Sequence, residues 1–522
     1  MKKYMNSNCF KYPKNFPLAK KLVVVDLIND NIESQIATCA FQGIVNRQSS
    51  KKIYITNTYC YDNCEGGENQ VQIAEKFLDV LFSDIPTSHI RNYDNKYFGG
   101  FLAIFHNFKN YAKGLIIWDP NLEDATIEAA TTIAGISDGI PVSPKLAQIL
   151  KNENLPIIED LRKYKFQSNP ECLNWLLDNW FEQSNHSLAF TWSHMSTDDK
   201  SWGAANKDYV TANKLFTFYL DITNSKEKEL YSKVITRYEP GTPILGWTDE
   251  KWADALFAKM GYFMVPYISV ENITVHASFP STSGEKSIPI SAPILENGVY
   301  ISFFIADGDN LLHSMIYEPE VISSSESFGQ VPLTWVINPA LVDLSPRLFD
   351  WYKKMPKNQE LSGMMSDGHP FSDNYFAFKR FCDFTSYYLK KSGIMTLKQM
   401  EESEAVAWNV QPYVMNSGYA GICPKGIRPY EYHMDGETFH IGSVKLYNKS
   451  ETILNLIENS PFNGPLFLNV FIGTAKTDLL GNLTKVVDEL KSIEYKINKQ
   501  FFFLRSVDLA ATFRKYSGQP VI

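Results

Sequence analysis

The sequence lacks the features that mark membrane and nucleic-acid-binding proteins. No run approaches the roughly 20 consecutive apolar residues that a membrane-spanning helix needs. No stretch concentrates lysine and arginine into the basic face that nucleic-acid binding requires. The 58 acidic and 50 basic side chains give a net charge of -8, which also disfavours anionic surfaces as partners. We therefore expect neither a nucleic-acid partner nor a membrane partner.

Cysteine is scarce and scattered. An odd number of widely spaced cysteines is not typical of a disulfide framework, and reduced thiols of a cytoplasmic protein are the simpler interpretation. The first residues contain no apolar stretch of the kind found in signal peptides. We expect a cytoplasmic protein, with secretion left open if the natural chain begins earlier. The seven cysteines are Cys9, Cys39, Cys60, Cys64, Cys172, Cys382 and Cys423.

Several catalytic motifs are also missing. The sequence contains no G-x-x-x-x-G-K-[ST] phosphate loop, no G-x-S-x-G nucleophile elbow and no H-E-x-x-H zinc motif. The Gly66-Gly67 pair lacks the spacing of a dinucleotide site. These absences weaken ATP-dependent, NAD-dependent and serine-hydrolase hypotheses, and we expect no cofactor.

The composition and pattern of the first half predict an α/β domain. Apolar residues make up 44% and charged residues 21% of the 522 residues, as in ordinary globular proteins. Buried strands are predicted at 22–27 and 52–56, with a helix between them at 34–46, which implies a parallel pair. A second unit follows, with a strand at 114–118 and a helix at 125–135. We expect a mixed α/β domain over residues 1–237.

The second half predicts a barrel. The turn-rich stretch Tyr238–Pro243 is the expected domain boundary, so the second domain covers residues 238–522. Most of its predicted strands are followed by a helix, and a (β/α)₈-like, TIM-type barrel fits best, with a doubly wound open sheet as the alternative. The predicted strands are 244–247, 263–267, 299–306, 333–337, 361–365, 394–397, 413–415, 466–471 and 501–504.

Polar residues recur where these strands end, which is where barrel enzymes carry their chemistry. The candidate catalytic residues are the carboxylates Asp307, Asp309 and Asp367. Side chains with the chemistry to bind a substrate accompany them, namely Trp247, Glu250, Asn310, Asn338, His369, Asn416 and Tyr419.

The Asp307-Gly308-Asp309-Asn310 turn is the sharpest of these features. Gly308 permits a tight turn, so the carboxylates of Asp307 and Asp309 are able to converge on one pocket. Crowding of two carboxylates raises the pKa of one and leaves the other ionised. The alternative is that Asp309 or Asn310 merely caps the following helix. Asp307 ends a buried apolar strand, where an unpaired carboxylate is costly.

A resemblance joins these turns. The segments that carry it are Val23–Leu27, Gln42–Arg47, Thr131–Gly135, Asp138–Ser143, Phe304–Asn310 and Asn338–Pro346. Through them the chain resembles the GxGYxYP family of putative glycoside hydrolases, in order and over nearly its whole length. The family's naming motif falls at 364–370, where Asp367 and His369 stand in place of expected tyrosines, as in a divergent member. The resemblance implies an N-terminal α/β domain, a barrel-like C-terminal domain and glycoside hydrolysis.

Three hypotheses follow from the sequence. The first is a glycoside hydrolase acting on a carbohydrate with a carboxylate pair, preferably Asp307 with Asp367. The second is a metal-dependent hydrolase with Asp307, Asp309 and His369 as ligands. The third is a non-catalytic saccharide-binding protein. The sugar, the linkage, the stereochemical outcome and the oligomeric state stay open.

Overall fold

The computed structural model describes most of the chain. At residues 57, 70–72, 192, 375–378, 399, 414–417, 433 and 435 it describes the backbone alone. The described residues are 10–57, 70–192, 206–246, 256–257, 259–266, 270–282, 289–294, 297–308, 310–364, 375–399, 414–417, 430, 432–435, 438–446, 449–473 and 478–521.

The chain begins with a three-stranded parallel sheet. Its elements are β1 (Lys21–Asp26), α1 (Ile32–Asn46), β2 (Lys51–Asn57), α2 (Gln70–Val80), β3 (Thr87–His89) and α3 (Gly99–Phe108). The central strand β1 pairs in parallel with β2 and β3, which confirms the predicted β-α-β unit. Helix α1 begins where the Asn31 side chain accepts a hydrogen bond from the Ser34 backbone N–H at 3.0 Å.

A second three-stranded parallel sheet follows. Its elements are β4 (Gly114–Ile117), α4 (Glu123–Ser137), β5 (Gly139–Val142), α5 (Pro144–Ile149), β6 (Ile157–Asp160) and α6 (Asn169–Trp180). Strand β4 pairs with β5 and β6. Helix α4 contains the predicted helix 125–135 and ends at Asp138, whose left-handed backbone (φ 60°) terminates it. An ion pair between Asp138 and Arg47 connects this end to α1.

The third sheet has four parallel strands. Its elements are β7 (Asn185–Trp192), α7 (Lys207–Ala212), β8 (Leu215–Tyr219), α8 (Ser225–Ile235), β9 (Pro243–Gly246), β10 (Phe263–Pro266) and α9 (Ile273–His276). The strand order is β10-β9-β7-β8. The prediction that β9 and β10 begin the barrel is wrong, because both pair into this sheet. The boundary expected at residue 238 lies between β8 and β9.

The remaining strands form one curled sheet. They are β11 (Gly298–Ile305), β12 (Leu333–Ile337), β13 (Gln359–Gly363), β14 (Thr396–Gln399), β15 (Val414–Ser417), β16 (Tyr432–Asp435), β17 (Thr438–Lys445), β18 (Leu466–Gly473) and β19 (Gln500–Leu504). The order is β12-β13-β14-β15-β17-β18-β11-β19, and β11 pairs with β12 as well, so the sheet curls back on itself. These pairings are parallel, and β16 is antiparallel to β17.

Helices cover the curled sheet. They are the π-helix His313–Tyr317, α10 (Glu318–Ser324), α11 (Leu341–Leu344), α12 (Pro346–Tyr352), α13 (Tyr375–Ser392), α14 (Ser450–Glu458), α15 (Leu479–Ile497) and α16 (Ser506–Tyr516). The expected α/β class is confirmed as a protein of parallel sheets, one of them curled. The eight-fold (β/α) repeat stays a prediction. None of the helices in the described ranges is long and apolar enough to cross a membrane.

A buried ion pair joins the second and third sheets. Lys207 Nζ on α7 lies 2.7 Å from Glu128 Oε1 on α4, and both side chains are almost fully buried. The Thr217 hydroxyl on β8 also donates to this carboxylate. Because a charge in the interior is stable only when it is paired, this contact couples the packing of the two sheets.

We predict that Lys207→Met lowers the free energy of unfolding by roughly 3–5 kcal/mol, because it leaves the Glu128 charge buried without its cation. Denaturant unfolding monitored by circular dichroism measures the loss. The matched control is Glu182→Gln, since Glu182 is 76% exposed in its pair with Arg237 and its loss costs about 1 kcal/mol or less. Equal losses in the two variants would contradict the assigned role.

Candidate active site

The turn after β11 holds Asp307 in an unusual backbone conformation. Strand β11 is buried along its whole length, and Asp307 follows it with a φ of +72°. Residues other than glycine are uncommon in this left-handed region, and aspartate and asparagine are frequent among them. Eight other non-glycine residues of the described ranges also have a positive φ, so the conformation points to a functional site only together with its surroundings. The Asp307 carbonyl accepts a hydrogen bond from the Asn310 N–H at 3.1 Å, which closes the turn. The Asp307 side chain is only partly buried.

Gly308 brings this turn against β12. A Cβ atom placed on Gly308 would lie 1.5 Å from the Val336 carbonyl oxygen, so only glycine fits there. The buried Ser314 hydroxyl donates to the Gly308 carbonyl and accepts a hydrogen bond from the Asn338 N–H at 3.0 Å. One hydroxyl group thus connects the turn after β11 to the residue that follows β12.

Asn338 and Asn310 both shape the backbone where they lie. The Asn338 side chain is fully buried, and its Oδ1 accepts a hydrogen bond from the Ala340 N–H at 3.0 Å. The Asn310 Oδ1 accepts one from the Leu312 N–H at the same distance, in the first turn of the helix. At least one contact of Asn310 is therefore the one expected if this residue caps the following helix.

A π-helix follows the turn and places a carboxyl group that the sequence analysis missed. Pro319 has no N–H to bond the Met315 carbonyl four residues earlier, so the helix widens at 313–317 before α10 begins. Glu318 lies at this junction with its side chain fully buried. Isolated π-helical turns are frequent at functional sites.

Tyr352 on α12 contacts Glu318 directly. The Tyr352 hydroxyl oxygen lies 3.2 Å from Glu318 Oε2 and 2.8 Å from the Ser314 carbonyl oxygen. Glu318 Oε1 forms no hydrogen bond to any residue that the structure describes. The Ser314 residue therefore takes part in two connected networks, one holding the Asp307 turn and one holding Glu318.

The Asp307 and Glu318 carboxyl groups influence each other. Burial raises the pKa of Glu318 well above its usual range, the hydrogen bond with Tyr352 opposes this rise, and the negative charge of Asp307 adds to it. A fully buried acid beside a partly exposed one is the arrangement that separates two carboxyl pKa values. The strand-end pattern did not predict this pair, because Glu318 lies on a helix rather than at the end of a strand.

A lysine inside the curled sheet is a second missed residue. Lys398 on β14 is 1% exposed, and its Nζ lies 5.2 Å from the centre of the Phe304 ring on β11. Strands β14 and β11 are not neighbours in the sheet, so this contact crosses its interior. Burial lowers the pKa of the Lys398 amine to about 7. A buried amine with a lowered pKa therefore lies against Phe304, three residues before Asp307 in the sequence.

Most of the other candidates fall outside the described residues. Strand β15 contains Asn416, whose backbone pairs in register with Lys398, while its side chain is not described. The strand that leads to Trp247 and Glu250 is β9, in the third sheet. The candidates that lie outside the described residues are Trp247, Glu250, Asp309, Asp367, His369 and Tyr419.

The set of candidate metal ligands is incomplete in the part of the chain that the structure describes. Within it, no three histidine, cysteine, aspartate or glutamate side chains lie close enough to hold an ion. Of the three ligands that the metal hypothesis needs, Asp307 is described and Asp309 and His369 are not. The metal hypothesis therefore stays a prediction.

A crevice at the start of β13 contains another buried carboxyl group. Burial raises the pKa of Glu360 to about 7, and its Oε2 accepts hydrogen bonds from the Val507 N–H and the Thr334 hydroxyl, each at 3.1 Å. The crevice is otherwise lined mainly by apolar side chains such as Phe349 and Ile394. Glu360 thus joins β12, β13 and the start of α16.

Family models match most of the chain. The GxGYxYP_N second domain matches residues 112–184, the GxGYxYP third domain matches 186–278, and the GxGYxYP putative glycoside hydrolase C-terminal domain matches 297–505. The last of these contains Asp307, Glu318 and Lys398. Three successive domain models of one class of multidomain proteins thus cover most of the chain. The chain is a member of the GxGYxYP family.

A solved structure shows the same fold. It is a putative hydrolase from Bacteroides thetaiotaomicron VPI-5482, with a TM-score of 0.77 and 17% sequence identity, covering 98% of this chain and 99% of that one. A putative polysaccharide deacetylase from Mycobacterium smegmatis, at 10% identity, covers 45% of this chain and 98% of its own, and its TM-score of 0.31 is too low to support an argument. No curated protein matches the sequence.

We predict that Gly308→Ala destabilises the protein by roughly 3 kcal/mol or more, because its Cβ overlaps the Val336 carbonyl and forces the two strand ends apart. Thermal unfolding measures the effect. The matched control is Gly481→Ala on α15, whose Cβ meets only the Ser327 hydroxyl at 3.9 Å. That variant is expected to be neutral or stabilised by up to about 1 kcal/mol. A tolerated Gly308→Ala would contradict the close approach.

We predict that Lys398→Met increases stability most at acidic pH. The folded-state pKa of about 7 lies below the unfolded value of about 10.4, so the cost of burying the ammonium is complete below pH 7 and disappears as the pH rises toward 10.4. The expected gain is on the order of a few kcal/mol below pH 7 and shrinks above it. Denaturant unfolding across this range measures it.

The control for this experiment is Lys390→Met on α13, because Lys390 is exposed. Its effect is expected to be small and independent of pH. A stability difference between wild type and Lys398→Met that stays constant from about pH 6 to about pH 10 would show that Lys398 is not a buried amine with a lowered pKa.

Proposed function

We propose that this protein hydrolyses glycosidic bonds, with Asp307 as the carboxylate that contacts the substrate. The observation that carries the proposal is the Asp307 turn itself: a partly exposed carboxylate held at φ +72° at the carboxyl end of a buried strand. The family model names the C-terminal domain a putative glycoside hydrolase, and a carbohydrate is the substrate that this description supports.

The carboxyl ends of β11, β12 and β13 lie along the same edge of the curled sheet, since their pairing is parallel. In a (β/α)₈-like barrel this edge is the catalytic face. Asp367 follows β13 in the sequence and is the preferred partner of Asp307, with Asp309 as the alternative. The amide group of Asn310, which is partly exposed, is suited to binding a sugar hydroxyl group.

The chemistry needs one protonated and one ionised carboxyl group. The acid gives its proton to the glycosidic oxygen as the bond to the anomeric carbon breaks. The carboxylate either attacks that carbon or takes a proton from the water that attacks it. Carboxyl groups about 5–5.5 Å apart support retention of configuration, and groups about 6.5–9.5 Å apart support inversion. Asp307 fits the ionised role, because its neighbour Glu318 favours the neutral form.

We predict that Asp307→Asn reduces the rate of saccharide cleavage by about 10²–10⁴-fold, because the amide is neither a nucleophile nor a base. The assay is release of reducing ends from a panel of oligosaccharides and polysaccharides, first screened with wild-type protein. The control is Asp488→Asn on the exposed side of α15, which is expected to keep the wild-type rate.

Two outcomes would reject this proposal. Full activity of Asp307→Asn on a substrate that the wild type cleaves would remove Asp307 from the reaction. Calorimetric binding of a saccharide that the wild-type protein never cleaves would support the third hypothesis, a non-catalytic saccharide-binding protein.

A further inference from the structure

Glu318 is too deeply buried to touch a saccharide. Its side chain is 0% exposed and contacts Tyr352 of α12. The mechanism above therefore makes no direct use of it. Yet its carboxyl group lies within electrostatic reach of Asp307, so any effect of Glu318 on the reaction has to pass through Asp307.

The hydrogen bonds around Tyr352 indicate where the proton of Glu318 is. A phenol hydroxyl has a single hydrogen, and the Ser314 carbonyl, 2.8 Å away, is only able to accept one. The Tyr352 hydrogen is best placed on that shorter contact. If Glu318 were ionised, Tyr352 would donate its hydrogen to Glu318 Oε2, which is the bond that opposes the rise in pKa. With the Tyr352 hydrogen on the Ser314 carbonyl, the 3.2 Å contact between Tyr352 Oη and Glu318 Oε2 has a hydrogen only if the carboxyl group of Glu318 supplies it.

We propose that Glu318 is held as a neutral carboxylic acid that donates its hydrogen to Tyr352 and acts as a positioning residue for Asp307. The two carboxyl groups then share one negative charge, which is on Asp307. The role of Glu318 as a positioning residue rests on the proposed function of Asp307 at the same site. The protonation state of Glu318 is measurable without any substrate.

The surroundings of Glu318 favour the neutral state. Asp307 is the charged group that acts on it most directly, and a second negative charge beside Asp307 in a buried place is unfavourable. Strand β12, which packs against the π-helix, contributes no ionisable side chain. The charged residues of α2, which also packs there, are exposed, and His313, Tyr317 and Glu320 on its own helices are partly exposed.

A neutral Glu318 has a function in the reaction. If it were ionised, its charge would raise the pKa of Asp307 and favour the protonated form of the residue that has to stay ionised. As an acid it instead anchors the π-helix through Tyr352, while Ser314 on the same helix holds the Asp307 turn. Glu318 therefore sets both the charge and the position of Asp307.

The test uses Glu318→Gln, which keeps the shape of the protonated acid but does not ionise. Infrared difference spectra between the wild type and Glu318→Gln at neutral pH are expected to show a protonated carboxyl band that only the wild type has, because the contribution of Glu360, whose pKa is raised to about 7, is common to both proteins. The folded-state pKa is raised, so the stabilising contribution is complete below the unfolded value of about 4.3 and is lost as the pH rises. Unfolding midpoints are therefore expected to separate with increasing pH, with the variant the more stable.

Two further variants show whether the effect belongs to the pair. In Asp307→Asn the carboxyl band is expected to titrate at lower pH than in wild type, because the neighbouring charge is absent. Glu320→Gln, two residues along α10, is expected to keep the wild-type band and pH dependence. An unchanged band in Glu318→Gln, or identical titration with and without Asp307, would overturn the inference. Neither readout depends on finding a substrate, so the proposed function is judged separately.

Discussion

The candidate site depends on one close contact between two backbone segments. The turn after β11 lies so near β12 that a side chain on Gly308 would overlap the Val336 carbonyl, and the Ser314 hydroxyl bonds to both segments. This contact leaves Asp307 in a left-handed conformation that aspartate alone would seldom adopt. The cost of that conformation is offset by the packing around it, so the surrounding contacts determine where the Asp307 backbone lies.

The electrostatic environment of the site follows from the same geometry. Because the turn and the π-helix are held together, the Asp307 and Glu318 carboxyl groups are near enough to affect each other. On the inner side of the sheet, the Lys398 amine lies over Phe304 with little contact to solvent. Buried ionisable groups cost stability, and proteins retain such groups most often where function needs them.

The sequence predicted the apolar strands and the principal turn, but not the tertiary contacts that complete the site. Strands β11, β12 and β18 begin and end within two residues of their predicted bounds, because long β-branched and aromatic runs specify strands. Strand β17 was missed because glycine, serine, histidine and lysine interrupt its apolar residues. It is buried by tertiary packing that includes the Phe439 ring stacked on Phe513 of α16. A short apolar run such as that of β9 predicts a strand, but it does not predict the sheet to which the strand belongs. Glu318 was missed because its proximity to Asp307 exists only after folding.

The most direct measurement of the central claim is a crystal structure of the Asp307→Asn protein soaked with a saccharide that the wild type binds. We expect a sugar at the carboxyl ends of β11 to β13, with one of its oxygens within hydrogen-bond reach, about 2.6–3.2 Å, of the side chain at position 307. A saccharide bound only elsewhere, for example in the crevice beside Glu360, with no contact to position 307, would contradict it.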